Sequence, residues 1–275
     1  MGSPNVLTTA ERVITEAEEK AKRKNLVELI KGISAPTTIS GKLAYLIYDR
    51  IKEESGKGGK YEGPSSFDFL TIQESSGKRV LAGSNGKLLP RINSILRIGN
   101  AHIAELDDVV DDLGKRREFY NDVAISVRQV TSGEIKEGSL NEYNMPKMDM
   151  LTNKLLLPIK SDISSRYHNE SLIFIPFSNL SLVYDKEVED NMALHLIKRS
   201  KVYTFNEFFK DSKSRGMAME SLRRRKTPLS YGLSVVSVTP SGSIEISDNG
   251  IQCSGQSGRI IAVPDNYKGK KSVLI

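Results

Sequence analysis

The sequence predicts an α+β protein: a helix-rich part over residues 1–115, then a β-rich domain over 116–275 with a sandwich or jelly-roll-like core. Three observations predict it. Apolar residues recur at spacings of three and four as far as Leu113, the period of a helix with one buried face. From Val123 onward, short runs rich in Ile, Val, Phe and Tyr alternate with polar residues and are separated by turn signals, the period of strands. The change falls near Lys115–Tyr120, and no internal repeat crosses it. At 275 residues the chain accommodates one large domain or two smaller ones.

Residues 8–31 are expected to form the first helix. Thr8 or Thr9 caps its start and Glu11 stands where a capping box places its acid. Glu16, Glu18 and Glu19 precede Lys20, Lys22, Arg23 and Lys24, the order favoured by the helix dipole. Its apolar stripe thickens only at Leu26, Leu29 and Ile30, so the helix should dock by its C-terminal end, and Gly32 should stop it. Ser40–Ile51 reads as a second helix with Leu43, Leu46, Ile47 and Ile51 on one face. A glycine-rich loop over Glu54–Pro64 follows, then a hairpin of Phe67–Ile72 with Arg79–Ala82 across Ser75-Ser76-Gly77, and a turn at Gly83–Gly86. Asn100–Leu113 reads as a third helix, with Ile103, Leu106, Val110 and Leu113 as its stripe and Gly114 as its stop. Strands are expected at Val123–Val127, Leu155–Ile159, Leu172–Phe177, Leu180–Tyr184, Tyr231–Val238, Ser243–Ile246 and Arg259–Val263. A helix is expected over Asp185–Ile197, and Thr239-Pro240-Ser241-Gly242 should turn two strands into a hairpin.

Composition narrows the class. Hydrophobic residues make up 38% of the chain and charged residues 27%, with a mean hydropathy of −0.34. A chain of this length and composition buries a substantial core. Cys253 is the single cysteine, which excludes an intrachain disulfide and suits a reducing, intracellular compartment. The first residues lack the basic and apolar regions of a secretory signal, and Val6 stands where a myristoylation site needs Ser or Thr. No stretch approaches the ~20 apolar residues of a membrane span.

No constellation points to catalysis. His102, His168 and His195 lie neither near a cysteine nor at ligand spacing with an acid. Cys253 sits in a polar turn, Gln252–Gly258. Gly83-Ser-Asn-Gly86-Lys87-Leu88 is too short for a phosphate-binding loop and lacks the hydroxyl residue after its lysine. Asp107, Asp108, Asp111 and Asp112 alternate with apolar residues as a solvated helix face does. The sequence therefore implies no catalytic residue, no metal, no cofactor and no small-molecule substrate.

Charge is the informative feature. The chain carries a formal +6 with a pI near 9.2. Between residues 198 and 226 lie ten cations, Lys198, Arg199, Lys201, Lys210, Lys213, Arg215, Arg223, Arg224, Arg225 and Lys226, against Glu207, Asp211 and Glu220. That local excess of seven is more than the whole chain's, so the remainder is close to neutral. Tyr203, Phe205, Phe208 and Phe209 are interleaved with it. Cations for phosphates beside rings for bases are what single-stranded nucleic acid requires. The expected contacts are those ten cations, with Tyr203 or Phe205 as stacking groups. Three other readings compete: a solvated cationic face whose aromatics are core residues of a helix near Glu207–Lys210, attraction to an anionic membrane, and a nuclear import signal in Arg223–Lys226.

Phe174-Ile-Pro176, Asn179, Asp185, Asn191, Thr227-Pro228-Leu229-Ser230 and Val236-Ser237-Val238 together resemble the C-terminal half of the core of the 30-kilodalton superfamily of plant-virus movement proteins. The resemblance covers residues 174–238. It implies a viral, non-enzymatic β-domain with flanking helices that binds single-stranded nucleic acid, RNA rather than DNA, without sequence preference. It also implies a host-cytoplasmic, plasmodesmal or nuclear setting and an open question of homo-oligomerisation. Size, basicity and a mixed α/β build also resemble the matrix proteins of enveloped negative-strand RNA viruses, which bind anionic membrane and nucleocapsid. An enzyme remains a third class, without a constellation to support it.

Overall fold

The computed structural model describes residues 9–57, 70–83, 88–115, 118–128, 172–184, 192–197, 201–224, 233–246 and 258–267. The chain is an α+β protein whose strand pairs, among the described residues, are all antiparallel. Helix α1 (Thr9–Lys31) buries Leu26 and Ile30 while residues 16–24 are exposed, as a helix docked by its C-terminal end should. After β1 (Thr37–Thr38), α2 (Gly41–Lys57) buries Ala44, Ile47 and Ile51 at helical spacing. It continues through Glu54–Lys57, where a loop was expected, because a single glycine such as Gly56 weakens a helix by only about 1 kcal/mol and does not by itself end one. Strands β2 (Thr71–Ser75) and β3 (Lys78–Ala82) form a hairpin around the expected turn region, but its first strand overlaps the expected Phe67–Ile72 only at residues 71–72, and 67–69 lie outside the described residues. Its turn residues Ser76 (φ 50°) and Gly77 (φ 72°) both adopt the positive φ that a two-residue type I′ connection needs.

Two departures follow. Helix α3 (Leu88–Arg97) was not expected, because Pro90 and Asn93 read as breakers; its apolar residues nonetheless recur at helical spacing opposite Arg91, Ser94 and Arg97, and Pro90 falls in the first turn, where its missing N–H costs no bond. Asn100–Leu113 is not one helix. Asn100 adopts φ 63°, β4 (Ala101–Ile103) follows, then α4 (Leu106–Val109) and a 3-10 turn over Val110–Asp112. Ile103, Leu106 and Leu113 are buried as expected and Val110 is half-buried, but from three elements, because Ala101–Ile103 is taken up as a strand partner of residues more than 150 positions later.

Strands β5 (Asn121–Arg128), β6 (Leu172–Pro176), β7 (Leu180–Tyr184), β8 (Met192–Leu196) and β9 (Tyr203–Thr204) precede the short helices α5 (Phe205–Phe208) and α6 (Ser212–Arg224). The chain closes with β10 (Leu233–Val238), β11 (Ile244–Ile246) and β12 (Ile261–Pro264). Met192–Leu196 is a strand and not the C-terminal part of a helix over Asp185–Ile197. It pairs with β7 from Leu180↔Leu196 to Tyr184↔Met192, giving β7 the backbone partners a helix would have withheld. The predicted strand Leu155–Ile159, the turn at 84–86, Cys253 and His168 lie outside the described residues.

The five-stranded sheet runs β11-β10-β5-β6-β9, and a three-stranded sheet runs β1-β12-β4. The larger sheet separates two apolar clusters. Ile125, Ile173, Ile175 and Val235 join the one built from α1, α2, α3 and the β1-β12-β4 sheet. Phe174, Val236, Val238, Ile244 and Ile246 join the other, with α4, α5 and α6. The alternation along Ile173-Phe174-Ile175 is the strand period expressed as two cores.

Candidate nucleic-acid interface

The described part of the basic segment runs from Lys201 into β9 at the edge of the five-stranded sheet. Asn179 donates its amide to the carbonyl of Lys201 at 2.8 Å, fixing the entry of the segment. Thr204 then caps α5. Its backbone N–H and its hydroxyl both donate to Glu207 Oε2, at 2.8 and 2.9 Å, and these bonds hold the Glu207 carboxyl below its ordinary range. Phe205, Phe208 and Phe209 of this turn close around Phe174 of β6. Phe208 stacks on Phe174 with centroids 5.1 Å apart, and Phe209 meets it edge-on at 5.1 Å. Phe208 and Phe209 are buried; Tyr203 and Phe205 are half-buried at the margin of the same cluster. The aromatic interleaving is thus mainly core packing.

Asp211 opens α6. It accepts the backbone N–H of Ser214 at 2.8 Å and its hydroxyl at 2.6 Å. Burial acts against the charge of Asp211, but these bonds and the first-turn N–H groups outweigh it and keep its carboxyl below the ordinary value. Both acids in the first half of the segment therefore serve as caps. The inward side of α6 carries Ser214 and Ala218, and Ser221 Oγ accepts the N–H of Ile246 at 3.0 Å, so the helix covers the edge strand β11.

The cations separate into two groups. Lys210 pairs with Asp107 of α4; burial alone would lower its ammonium, but the carboxylate holds it above its ordinary value. Lys213 donates to the carbonyl of Leu113. Arg215 donates to the carbonyl of Lys210 at 2.9 Å. These three are engaged with the acidic turn of residues 105–113 or with nearby carbonyls. Lys201 is exposed, within electrostatic reach of Glu207. Arg223 and Arg224 are exposed at the C-terminal end of α6, where cations also suit the helix dipole. Arg224 pairs with Glu220 one turn back at 2.9 Å; among the described residues Arg223 has no ion-pair partner. Lys198, Arg199, Arg225 and Lys226 lie outside the described residues. Met219, 40% exposed, sits on the outward side of the same helix. No sequence signal singled it out, because a methionine in a helix reads as core.

A second polar cluster, unexpected from the sequence, joins α3, β4 and β12. Asp265 accepts from Arg97 at 3.0 Å and meets His102 Nδ1 at 2.7 Å, while His102 Nε2 faces Asp108 at 3.9 Å. Burial raises the Asp108 carboxyl, opposed by a hydrogen bond from the N–H of Glu105 and by His102. Among the described residues, no three His, Cys, Asp or Glu side chains are placed to share a metal ion. A cleft beside this cluster, of about 420 Å³, is lined by Lys31 and Asp265 as its charged groups, and Asp265 is committed to Arg97 and His102. No helix among the described residues is long and apolar enough to cross a membrane.

No family model, curated protein or solved structure matches this chain. The geometry is therefore the main ground for function. Of the residues noted for the resemblance to movement proteins, three segments lie within the described residues. Phe174 centres the aromatic cluster, Asn179 anchors Lys201, and Val236–Val238 lies on β10, which flanks β5 opposite β6. Asp185, Asn191 and Thr227–Ser230 lie outside the described residues.

Proposed function

We propose that this chain is a non-enzymatic protein that binds single-stranded nucleic acid, RNA rather than DNA, without sequence preference, through the cations of residues 198–226. The observation that carries the reading is the segregation of charge along that segment. Lys210 is paired with Asp107, and Lys213 and Arg215 are held by backbone carbonyls, whereas Arg223 and Arg224 are exposed at a folded helix end, Arg224 beside Glu220, that continues in sequence into Arg225 and Lys226. A rigid support with exposed guanidinium groups suits phosphates, which such contacts position but do not read for sequence. The setting consistent with the resemblance is carriage of a viral genome between plant cells.

The test is fluorescence anisotropy of a labelled oligouridylate across a salt series, with the wild type and a variant in which Arg223, Arg224, Arg225 and Lys226 are all Ala. The expected result is a steep fall of log affinity with log salt, shallower in the variant by about 0.7 for each phosphate no longer neutralised. A wild type that does not bind near physiological salt sinks the reading. Binding of the same protein to phosphatidylserine vesicles would then favour the matrix-like alternative.

A further inference from the structure

Helix α6 carries a glycine that nothing inside the molecule requires. Gly216 is exposed in the helix interior, and a Cβ built on it would meet no atom within 4 Å. Its φ is not positive. Both usual grounds for a helical glycine, a crowding neighbour and a left-handed backbone, are therefore missing. Glycine at such a position weakens a helix relative to alanine, because more backbone freedom is lost on folding. A glycine at such a position leaves the helix main chain open to close approach by a body from outside.

The neighbours of Gly216 indicate the chemistry of that body. Residues three, four and seven apart share a helix face. One turn on lie Met219, exposed, and Glu220, paired with Arg224; two turns on lies the exposed Arg223. One turn back lies Lys213, and next to the glycine is Arg215. The outward side of α6 is thus a gap in side-chain cover, bordered by the exposed Arg223, the Glu220–Arg224 pair and one exposed thioether, while Lys213 and Arg215 reach carbonyls. A polyanion with apolar sugars and bases matches both features, with phosphates toward the cations and a sugar or base against Met219.

We infer that Gly216 is the point at which the sugar–phosphate backbone of a single strand crosses α6, against the helix main chain, with Met219 as its apolar contact. The inference rests on the function proposed above and adds to it the place of closest approach. It also separates steric contact from charge. Long cationic side chains alone would hold a strand at arm's length and would be indifferent to residue 216.

The experiment uses the full chain as wild type, Gly216→Ala, Gly216→Leu, Glu220→Gln and Arg223→Ala. Thermal unfolding and circular dichroism are followed beside anisotropy with labelled oligouridylate and cosedimentation with phosphatidylserine vesicles. Both glycine variants should fold and melt above the wild type, because the position has room for a side chain and helix propensity rises. Gly216→Leu should bind oligouridylate about tenfold more weakly, a penalty of about 1.4 kcal/mol, with Gly216→Ala between it and the wild type. Its salt slope should stay at the wild-type value, whereas that of Arg223→Ala should fall by about 0.7. Glu220→Gln should bind more tightly, because it no longer sets a like charge beside the phosphates.

A folded Gly216→Leu variant that binds as the wild type does overturns the crossing point and leaves the proposed function standing. A wild type that does not bind RNA overturns both. Loss of vesicle binding with RNA binding intact assigns the face to membrane and overturns the inference. A Gly216→Leu variant that fails to fold overturns it as well, by showing that position 216 is not open.

Discussion

At the scale of single residues, a pronounced electrostatic anomaly lies in the main sheet. The β5–β10 ladder skips Val123, passing from Ala124↔Val236 to Asp122↔Ser237, and this bulge turns Asp122 into the interior. Ser237 Oγ donates to its Oδ1 at 2.6 Å, while Oδ2 has no hydrogen-bond partner among the described residues. Burial raises the carboxyl from its ordinary 3.8 to about 7; the serine opposes the shift and Glu245 on β11 adds to it. The folded pKa exceeds the unfolded one, so the native state binds more protons between those values. Stability is fully present below about pH 4 and is lost as pH rises through about 7, by up to about 4 kcal/mol. Asp122→Asn should raise the melting temperature at pH 8 and flatten its decline between pH 5 and 8. An unchanged pH profile would show that Asp122 is not the group responsible. Asn93 is the opposite case, a buried amide with all its needs met. It donates to the carbonyls of Ser178 and Leu180 at 3.0 Å each and accepts the N–H of Ile103 at 3.1 Å. Asn93→Ala would strand three backbone groups and should cost about 3 kcal/mol in urea unfolding.

At the scale of elements, short pieces are held by one another more than by their own periodicity. The β10–β11 turn depends on Gly242, whose φ is 75° and whose Cβ, if present, would stand 2.5 Å from the carbonyl oxygen of Lys115 and 2.6 Å from the nitrogen of Gly114. The carbonyl of Gly242 in turn accepts the N–H of Gly114 at 2.7 Å, clamping the turn to the end of the acidic segment. Gly242→Ala should therefore destabilise the protein by more than about 2 kcal/mol, from disturbed backbone geometry and a main-chain clash together. Chemical denaturation measures it, and a change below about 0.5 kcal/mol would show that the clamp contributes little. The same reasoning explains why α3 was not visible beforehand. Asn93 reads as a breaker within a short window, but in the fold its amide is satisfied by the backbone of Ile103, Ser178 and Leu180, and Pro90 sits in the first turn, where it costs no hydrogen bond. Met192–Leu196 became a strand because β7 needed a backbone partner, a requirement that no local window contains.

At the scale of the whole molecule, β12 carries the long-range organisation. It is inserted between β1 and β4, so residues 261–264 bond to residues 37–38 and 101–103. The larger apolar cluster likewise combines α1, α2 and α3 with Ile125, Ile173 and Val235. The prediction is that residues 1–115 expressed alone do not fold cooperatively, since β1 and β4 lose the strand between them and the helices lose the face of the main sheet. A cooperative thermal transition of that fragment, monitored at 222 nm by the helix signal, would show instead that the helical part is self-sufficient.

Composition and periodicity alone determined the α+β class, the helices α1 and α2, the β2–β3 hairpin, most strands after residue 120, and the concentration of positive charge within residues 198–226. These properties are local: the period of apolar residues, turn chemistry and net charge are all contained in short windows. Only the tertiary structure decided which cations of the segment are engaged with Asp107, Leu113 and nearby carbonyls and which project, that Phe208 and Phe209 belong to the core around Phe174, that Asn100–Leu113 divides into strand and turn, and that Gly216 and Met219 face outward together. The physical reason is that a side chain's partners, and a backbone's hydrogen bonds across a sheet, come from residues 20 to 160 positions away. Such pairings override the local preferences that a sequence displays.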